Sequence, residues 1–285
     1  MLNLSVIICS RNQGLSDRLF KNIENTIGCK YELIIINNSQ KNYSIFEAYN
    51  QGIEKSRGKY LCFIHDDVLF HTNGWGYILH RIFDEDSQIG LIGIAGTKLK
   101  TKMPSGWWDC TEDQKVINII QHFPHKKKEK LLQGFDDSSS KEVVVIDGVF
   151  MAARKDNDIH FSENLNGFHN YDLNISFEYK KVGYKIIVTN ELLVEHFSFG
   201  TLNEAWIKST HKIHTLYQTL LPLKDPKSEI SKETEIKNGK RFICESLKYQ
   251  NRSIAFAVWI KLLYLNPVSG YHIGFWKTLI KNFKI

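Results

Sequence analysis

The first hundred residues alternate short apolar runs with amphipathic helical stretches, and no other feature of the chain constrains its fold as strongly. Strands separated by helices and covered by them on both faces pair in parallel. The pattern therefore predicts an α/β fold with a mostly parallel central sheet flanked by helices. Strands are expected at Leu4–Ser10, Glu32–Asn37, Tyr60–His65 and Ile89–Gly96. A helix over Asp17–Ile27 has Ser16 as its N-cap and Gly28 as its stop. A second, over Ile45–Ser56, begins with Ser44 and Glu47 at capping-box spacing and closes at Gly58.

From Thr97 to Ser140 the periodicity dissolves into a polar, Lys-rich stretch holding Trp107-Trp108 and Lys126-Lys127-Lys128, which reads as a mobile loop region. Regularity returns at Val143–Ile146, then at Asp147-Gly148 and Val149–Ala153. A helix from about Tyr171 to Val182 is stopped by Gly183, and a strand follows through Tyr184–Val188. Beyond Gly200 the chain turns helix-rich and basic. Residues 1–204 hold 23 Lys/Arg against 26 Asp/Glu, whereas residues 205–285 hold 14 against 5. This divides the chain into a domain over 1–204 and a helical, basic C-terminal extension over 205–285, whose expected partners are anionic surfaces.

Five cysteines, far apart and never in a C-x-x-C pair, support neither a disulfide framework nor a zinc knuckle and fit a reducing cytoplasm. No apolar stretch approaches the roughly 20 residues of a membrane span. The start lacks the features of a signal peptide, because Arg11 and Asn12 follow the short run Val6–Cys9.

Ligands of open α/β sheets collect at the carboxyl ends of the strands. Here those ends read Cys9-Ser10-Arg11-Asn12, Asn37-Asn38-Ser39 and His65-Asp66-Asp67. Turns need polar residues, which accounts for the asparagines as well as a site would, but it accounts poorly for two adjacent carboxylates. Asp66 and Asp67 repel each other unless a cation stands beside them, and a divalent ion with a taste for oxygen, Mg²⁺ or Mn²⁺, is the economical remedy. The glycine patterns of dinucleotide-binding, P-loop and α/β-hydrolase sites are all missing.

Four segments in order, S-V-I-I-C-S-R-N, I-I-I-N-N-S, A-Y-N-Q-G-I-E-K-S-R-G-K-Y-L-C-F-I-H-D-D-V and N-Y-D-L-N-I-S-F-E-Y-K-K-V-G-Y-K-I-I-V, resemble the family 2 glycosyltransferases of GT-A, Rossmann-like fold. The likeness is greatest to bacterial members acting on surface polysaccharides or glycoproteins, and it runs from Leu4 to about Thr201. It implies that Ser10, Arg11 and Asn12 surround a nucleotide, that Asn37 and Asn38 contact uracil and ribose, and that Asn50 and Lys55 line the donor pocket. Asp67 is then the direct metal ligand and Asp66 lies nearer the ribose, with His65 standing where the family frequently has its first aspartate. His196, within Glu195-His196-Phe197-Ser198, corresponds to a histidine ligand of the same metal. Asp147-Gly148 matches the acidic turn beneath the transferred sugar or acceptor. A block that often reads E-D-x-D-L in the family reads His169-Asn170-Tyr171-Asp172-Leu173 here, which leaves Asp172 as base unless His169 has taken the role.

The implied activity is inverting transfer of a hexose from a nucleotide diphosphate donor, a UDP-sugar, to a hydroxyl of a glycan, glycolipid or glycoprotein, with Mn²⁺ or Mg²⁺ and without nucleic acid. Each residue also has a plain structural reading: Asp172 as a dipole partner of its helix, Asp147-Gly148 as a turn and His196 as a core histidine. Two other functions stay open, a nucleotidyltransferase on a similar sheet and a non-catalytic glycan-binding scaffold. In the tail, Phe275, Trp276, Leu279, Ile280 and Phe283 fall on one helical face and Lys277, Lys281 and Lys284 elsewhere. Such a helix suits peripheral contact with the inner face of the cell membrane, or docking on the core or a second subunit.

Overall fold

The computed structural model describes residues 4–281. It opens with β1 (Leu4–Ser10), α1 (Asp17–Thr26), β2 (Tyr31–Asn37), α2 (Ile45–Lys55), β3 (Tyr60–Ile64), β4 (Val68–Phe70), α3 (Trp75–Glu85) and β5 (Ile89–Gly93). The middle comprises β6 (Ala95–Thr97), β7 (Leu99–Lys100), β8 (Lys115–Gln121), β9 (Glu129–Gln133), β10 (Ser140–Val143), β11 (Val145–Ile146) and β12 (Phe150–Arg154). After α4 (Tyr171–Val182) come β13 (Lys185–Thr189), β14 (Val194–His196), α5 (Glu204–Leu216), β15 (Leu223–Lys224), α6 (Lys232–Lys248), α7 (Arg252–Leu265) and α8 (Tyr271–Lys281).

The expected helix starts are there in atomic detail. Ser16 accepts from the Leu19 amide, and Ser44 and Glu47 form a reciprocal capping box. Gly28 and Gly183 stop their helices in the left-handed region, at φ 77° and 97°.

The main sheet has seven strands in the order β10-β13-β5-β12-β3-β1-β2. Its β2-β1-β3 edge is parallel, as the alternating pattern predicts, but β12 runs antiparallel to both its neighbours and β10 antiparallel to β13. The sheet is thus mixed and not mostly parallel. The reversal has a consequence for chemistry. Because β12 enters where β3 ends, the turn before it, Asp147-Gly148, is delivered beside His65, whose amide donates to the Val149 carbonyl at 3.3 Å.

The expected strand Ile89–Gly96 breaks at Ile94. Its second half joins another sheet, ordered β11-β6-β8-β14-β4 with β9 on β8. The same sheet overturns the loop expectation for Thr97–Ser140, which contributes β8 and β9 to it, while β7 pairs with β15 in a separate two-stranded sheet. That stretch reads as polar because β9 and the turns on either side of it are largely exposed, and alternation over so few residues is a weak signal. In the second sheet β14 pairs antiparallel with β4, His196 opposite Val68, which brings His196 next to Asp67.

Two apolar cores lie on opposite faces of the main sheet. Leu61, Phe63 and Met151 point to one, Cys62, Ile64 and Phe150 to the other. Each fully buried Leu, Ile or Phe contributes about 1.5–3 kcal/mol. A third core joins α5 to α8 with Met103. The basic extension is not detached: Ile213, Tyr217 and Leu221 belong to one of the sheet's own cores.

Of the two readings of the last helix, the described side chains support docking on the core: Phe275 and Leu279 are buried and Phe275 stacks on Trp259 of α7 at 5.1 Å, while Trp276, expected on the same face, is 41% exposed. Phe283 and Lys284 lie outside the described residues. Among the described residues no helix is long and apolar enough to cross a membrane.

A close approach at Gly52 sets the seat of α2 on β1, since a Cβ there would lie 2.3 Å from Ile7 Cγ2. Gly52→Ala should therefore lower stability by about 1–3 kcal/mol in urea unfolding, because overpacking outweighs the roughly 1 kcal/mol gained in helix propensity. An unchanged or higher midpoint would contradict this account of the packing.

Candidate active site

Parallel pairing of β2, β1 and β3, with Ser10 opposite Asn37 and Ile8 opposite Ile64, sets three strand ends side by side. They open into a cleft of about 420 Å³ lined by Cys9, Arg11, Asn38, Tyr49, the His65-Asp66-Asp67 run, Tyr171 and Ser198.

The carboxylate pair has a cation, and it is a side chain. Arg11 forks onto Asp66 through Nε at 3.0 Å and Nη2 at 2.6 Å, and the same Nη2 reaches Asp67 Oδ2 at 2.9 Å. Its backbone amide also donates to Asp66 Oδ2 at 2.8 Å.

One carboxylate oxygen is left over. Asp67 Oδ1 is buried and has no hydrogen-bond partner. Around it stand His65 Nδ1 at 3.7 Å and His196 Nε2 at 3.6 Å, and the two ring nitrogens are 3.3 Å apart. The three ligand atoms lie within 4.8 Å of one another, a spacing that can hold a metal ion. The histidines are aimed from behind. Gln121 spends both amide hydrogens on the carbonyls of His122 and Ser198, so its Oε1 faces His196 Nδ1 at 3.0 Å and accepts from it. His196 Nε2 therefore presents a lone pair to the cleft. Tyr171 bonds its hydroxyl to His65 Nε2, which leaves His65 Nδ1 facing Asp67. Burial first, then the neighbouring His196, pushes the His65 imidazolium down, so this ring is neutral near pH 7. Burial raises the Asp67 carboxyl, but His196 and Ser198, and then the electrostatic pull of the two imidazoles, outweigh it and hold the group below the usual carboxylate range. An orphaned buried oxygen beside two imidazoles aimed at it from behind fits a divalent cation.

A second acidic group adjoins this one. Asp147 accepts from Trp107 Nε1 at 2.7 Å and from the Val149 amide at 2.9 Å. Asp172, half-buried in the first turn of α4, accepts from the Leu173 amide at 2.8 Å. Its carboxyl is raised to about 7 by burial and then by the charge on Asp147, with Lys100 opposing. Lys100 is buried, donates to the Ser105 carbonyl at 2.7 Å and is itself pushed down to about 7 by burial.

The remaining expected residues scatter. Ser10 donates to the Gly14 carbonyl and accepts from the Asn12 amide, so its hydroxyl shapes the loop. Asn38 is buried and bonds both amide and carbonyl to the Tyr43 backbone. Asn50 is bound at both ends to the backbone of Phe161 and acts as a staple. Asn12, Asn37 and Lys55 are exposed, and Asn37 accepts from Ser39. His169 is half-buried, with its carbonyl accepting from Ser209. Gln121, Trp107 and Lys100 lie in no motif, and Tyr171, though within the fourth matching segment, carried no assigned role, so none of the four was legible in the sequence as part of a site.

The sequence signature of the Glycosyltransferase like family matches residues 5–219, three quarters of the chain. The chain belongs to this family. It is therefore a glycosyltransferase by family. Among solved structures it is similar to GalNAc-T7 with UDP, GalNAc and Mn²⁺, at TM-score 0.50 and 14% identity over 90% of this chain and 57% of that one, a likeness of fold. At lower scores it is similar to S. aureus TarS 1-349 in complex with UDP-GlcNAc (0.46, 11% identity, 99% and 80% covered) and to A197 from STIV (0.39, 12%, 70% and 87%). No curated protein matches it in sequence.

Mn²⁺ is expected to raise the melting temperature of this glycosyltransferase. The gain should approach about 2.7 kcal/mol at a hundredfold excess over the dissociation constant. Asp67→Asn and His196→Ala should remove it, Gln121→Leu should weaken binding about 10- to 100-fold, and exposed Glu54→Gln should change nothing. Equal metal-induced shifts in differential scanning fluorimetry for all four variants would refute this ligand set.

Proposed function

We propose that this glycosyltransferase is metal-dependent and inverting, and that it moves a hexose from a UDP-sugar to a hydroxyl of a bacterial glycan, glycolipid or glycoprotein. The observation that carries the reading is the orphaned Asp67 oxygen facing two aimed imidazoles in a cleft with aromatic walls. The UDP, GalNAc and Mn²⁺ in the GalNAc-T7 structure support the donor class. Two nitrogen donors beside one carboxylate favour Mn²⁺ over Mg²⁺. When bound, such an ion supplies positive charge against a diphosphate leaving group.

The chain's own residues supply the rest. Arg11, two-thirds exposed, can turn one face to phosphate while keeping Asp66 in place. Tyr49, Phe168 and Tyr171 give the cleft flat apolar surfaces that exclude water and suit a base or a sugar ring. The exposed side chains of Asn12 and Asn37, at the ends of β1 and β2, are assigned to the nucleotide, Asn37 to its uracil and ribose. Trp107 and the Val149 amide fix the Asp147 carboxylate in place, and its charge raises the proton affinity of Asp172. Asp172 is assigned as the base that takes the proton of the acceptor hydroxyl as its oxygen attacks the anomeric carbon. With a carboxyl near 7 it is poised for that transfer at neutral pH. We assign transfer to residues 1–204 and treat 205–285 as a helical extension sharing its core. Five unpaired cysteines fit a cytoplasmic setting.

Asp172→Asn keeps size but loses basicity, so transfer should fall about 10²- to 10⁴-fold with donor binding and melting temperature retained. His169→Gln should be milder, and the reverse ranking would move the base to the histidine. Because the base acts deprotonated, wild-type transfer should fall as pH drops below about 7 and plateau above it. A pH–rate profile flat from 6 to 8 would sink the assignment.

A further inference from the structure

The α7–α8 hairpin carries an apolar surface facing outward. Helix α7 is apolar around its whole circumference, with Lys261 its one charged residue after Arg252. A helix of that composition is normally buried on all sides. Ala255, Val258, Trp259 and Leu262 do face the third core, but Phe256, Ile260 and Tyr264, spaced i, i+4, i+8, face solvent. The stripe continues through Val268 in the connecting turn to Ile273 and Trp276 on α8, with Tyr264 85% and Val268 94% exposed. The rings of Phe256 and Trp276 meet at 6.0 Å, which makes the two helices one surface. Monomeric soluble proteins rarely leave a continuous patch of this kind without use.

Charge identifies what covers it. After Glu245 the chain holds six Lys/Arg and not one Asp/Glu. A second copy would bring the same positive charge to the contact and be repelled, whereas an anionic surface would be attracted. The two most exposed apolar residues sit one just before and one within a short uncharged turn, Asn266–Ser269, that joins the two helices. An exposed apolar tip with aromatic neighbours, on a hairpin whose helices carry Arg252, Lys261 and Lys277 and no carboxylate, matches what an anionic lipid interface accepts.

We propose that the α7–α8 hairpin docks the protein on an anionic lipid surface, with Tyr264 and Val268 entering the interface. This surface is distinct from the buried Phe275–Leu279 face of α8, and the proposal does not rest on the sugar-transfer reading.

The full chain should co-sediment with vesicles of equal parts phosphatidylcholine and phosphatidylglycerol and much less with phosphatidylcholine alone, and high salt should release it. The double variant Tyr264→Ser/Val268→Ser changes only exposed side chains. It should keep the wild-type melting temperature and lose affinity for the anionic vesicles by about tenfold or more. Lys277→Glu should weaken binding as well. Failure of the wild type to bind anionic vesicles, or equal binding by the double variant, overturns the proposal. So does a wild-type dimer in sedimentation velocity that the double variant converts to monomer, because the surface would then join two copies.

Discussion

Two carboxylates held side by side at the end of a fully buried strand repel each other, and much of this site is an answer to that repulsion. Strand β3 is buried along its whole length, so Asp66 and Asp67 emerge where little water screens them. Arg11 answers for three of the four oxygens. It can do so only because β1 and β3 are parallel and in register, which sets the loop after Ser10 against the run after Ile64. The fourth oxygen, Asp67 Oδ1, has no hydrogen-bond partner and faces the ring nitrogens of His65 and His196.

Around this pair the titratable groups are driven apart. Asp67 is held ionised by its neighbours, while Asp172 is raised toward neutrality by burial and by Asp147. Groups with such divided proton affinities can do different work at one pH, the first holding a cation and the second exchanging a proton. Helix α4 links the two. Tyr171, its first residue, orients His65, Asp172 follows at once, and Asn170 before them ties the helix start to Ser209 and Thr210 of α5. A further carboxylate, Glu195, sits on the opposite side of β14 from His196. Burial would raise it, but Lys128, His122 and His71 bond to it and hold it at about 2, which anchors the strand that carries the histidine.

The signals legible along the chain were local ones. Helix α4 spans Tyr171–Val182 and stops at Gly183 as expected, and the capping box at Ser44 and Glu47 forms because all its atoms lie within one turn. Three polar strand ends could be read as a site because apolar strands cannot keep such residues inside. Where reading failed, a long-range partner was decisive. Asn50 and Asn38 are spent on the backbones of Phe161 and Tyr43, and the stretch Thr97–Ser140 becomes strand only because β14 and β6 are there to pair with it.

By itself the sequence determined the alternation of strands and helices, the place of the carboxylate pair at a strand end and the basic character of the tail, since each is a property of neighbouring residues. Tertiary structure alone decided the antiparallel entry of β12 and β14, and with it the arrival of Asp147 and His196 beside His65 and Asp67 from as far as 131 residues away. It also decided that Phe275 and Leu279 turn inward while Tyr264 and Val268 turn out. Strand direction and helix docking minimise the exposed apolar area of the whole chain, and no window of sequence contains the surfaces being compared.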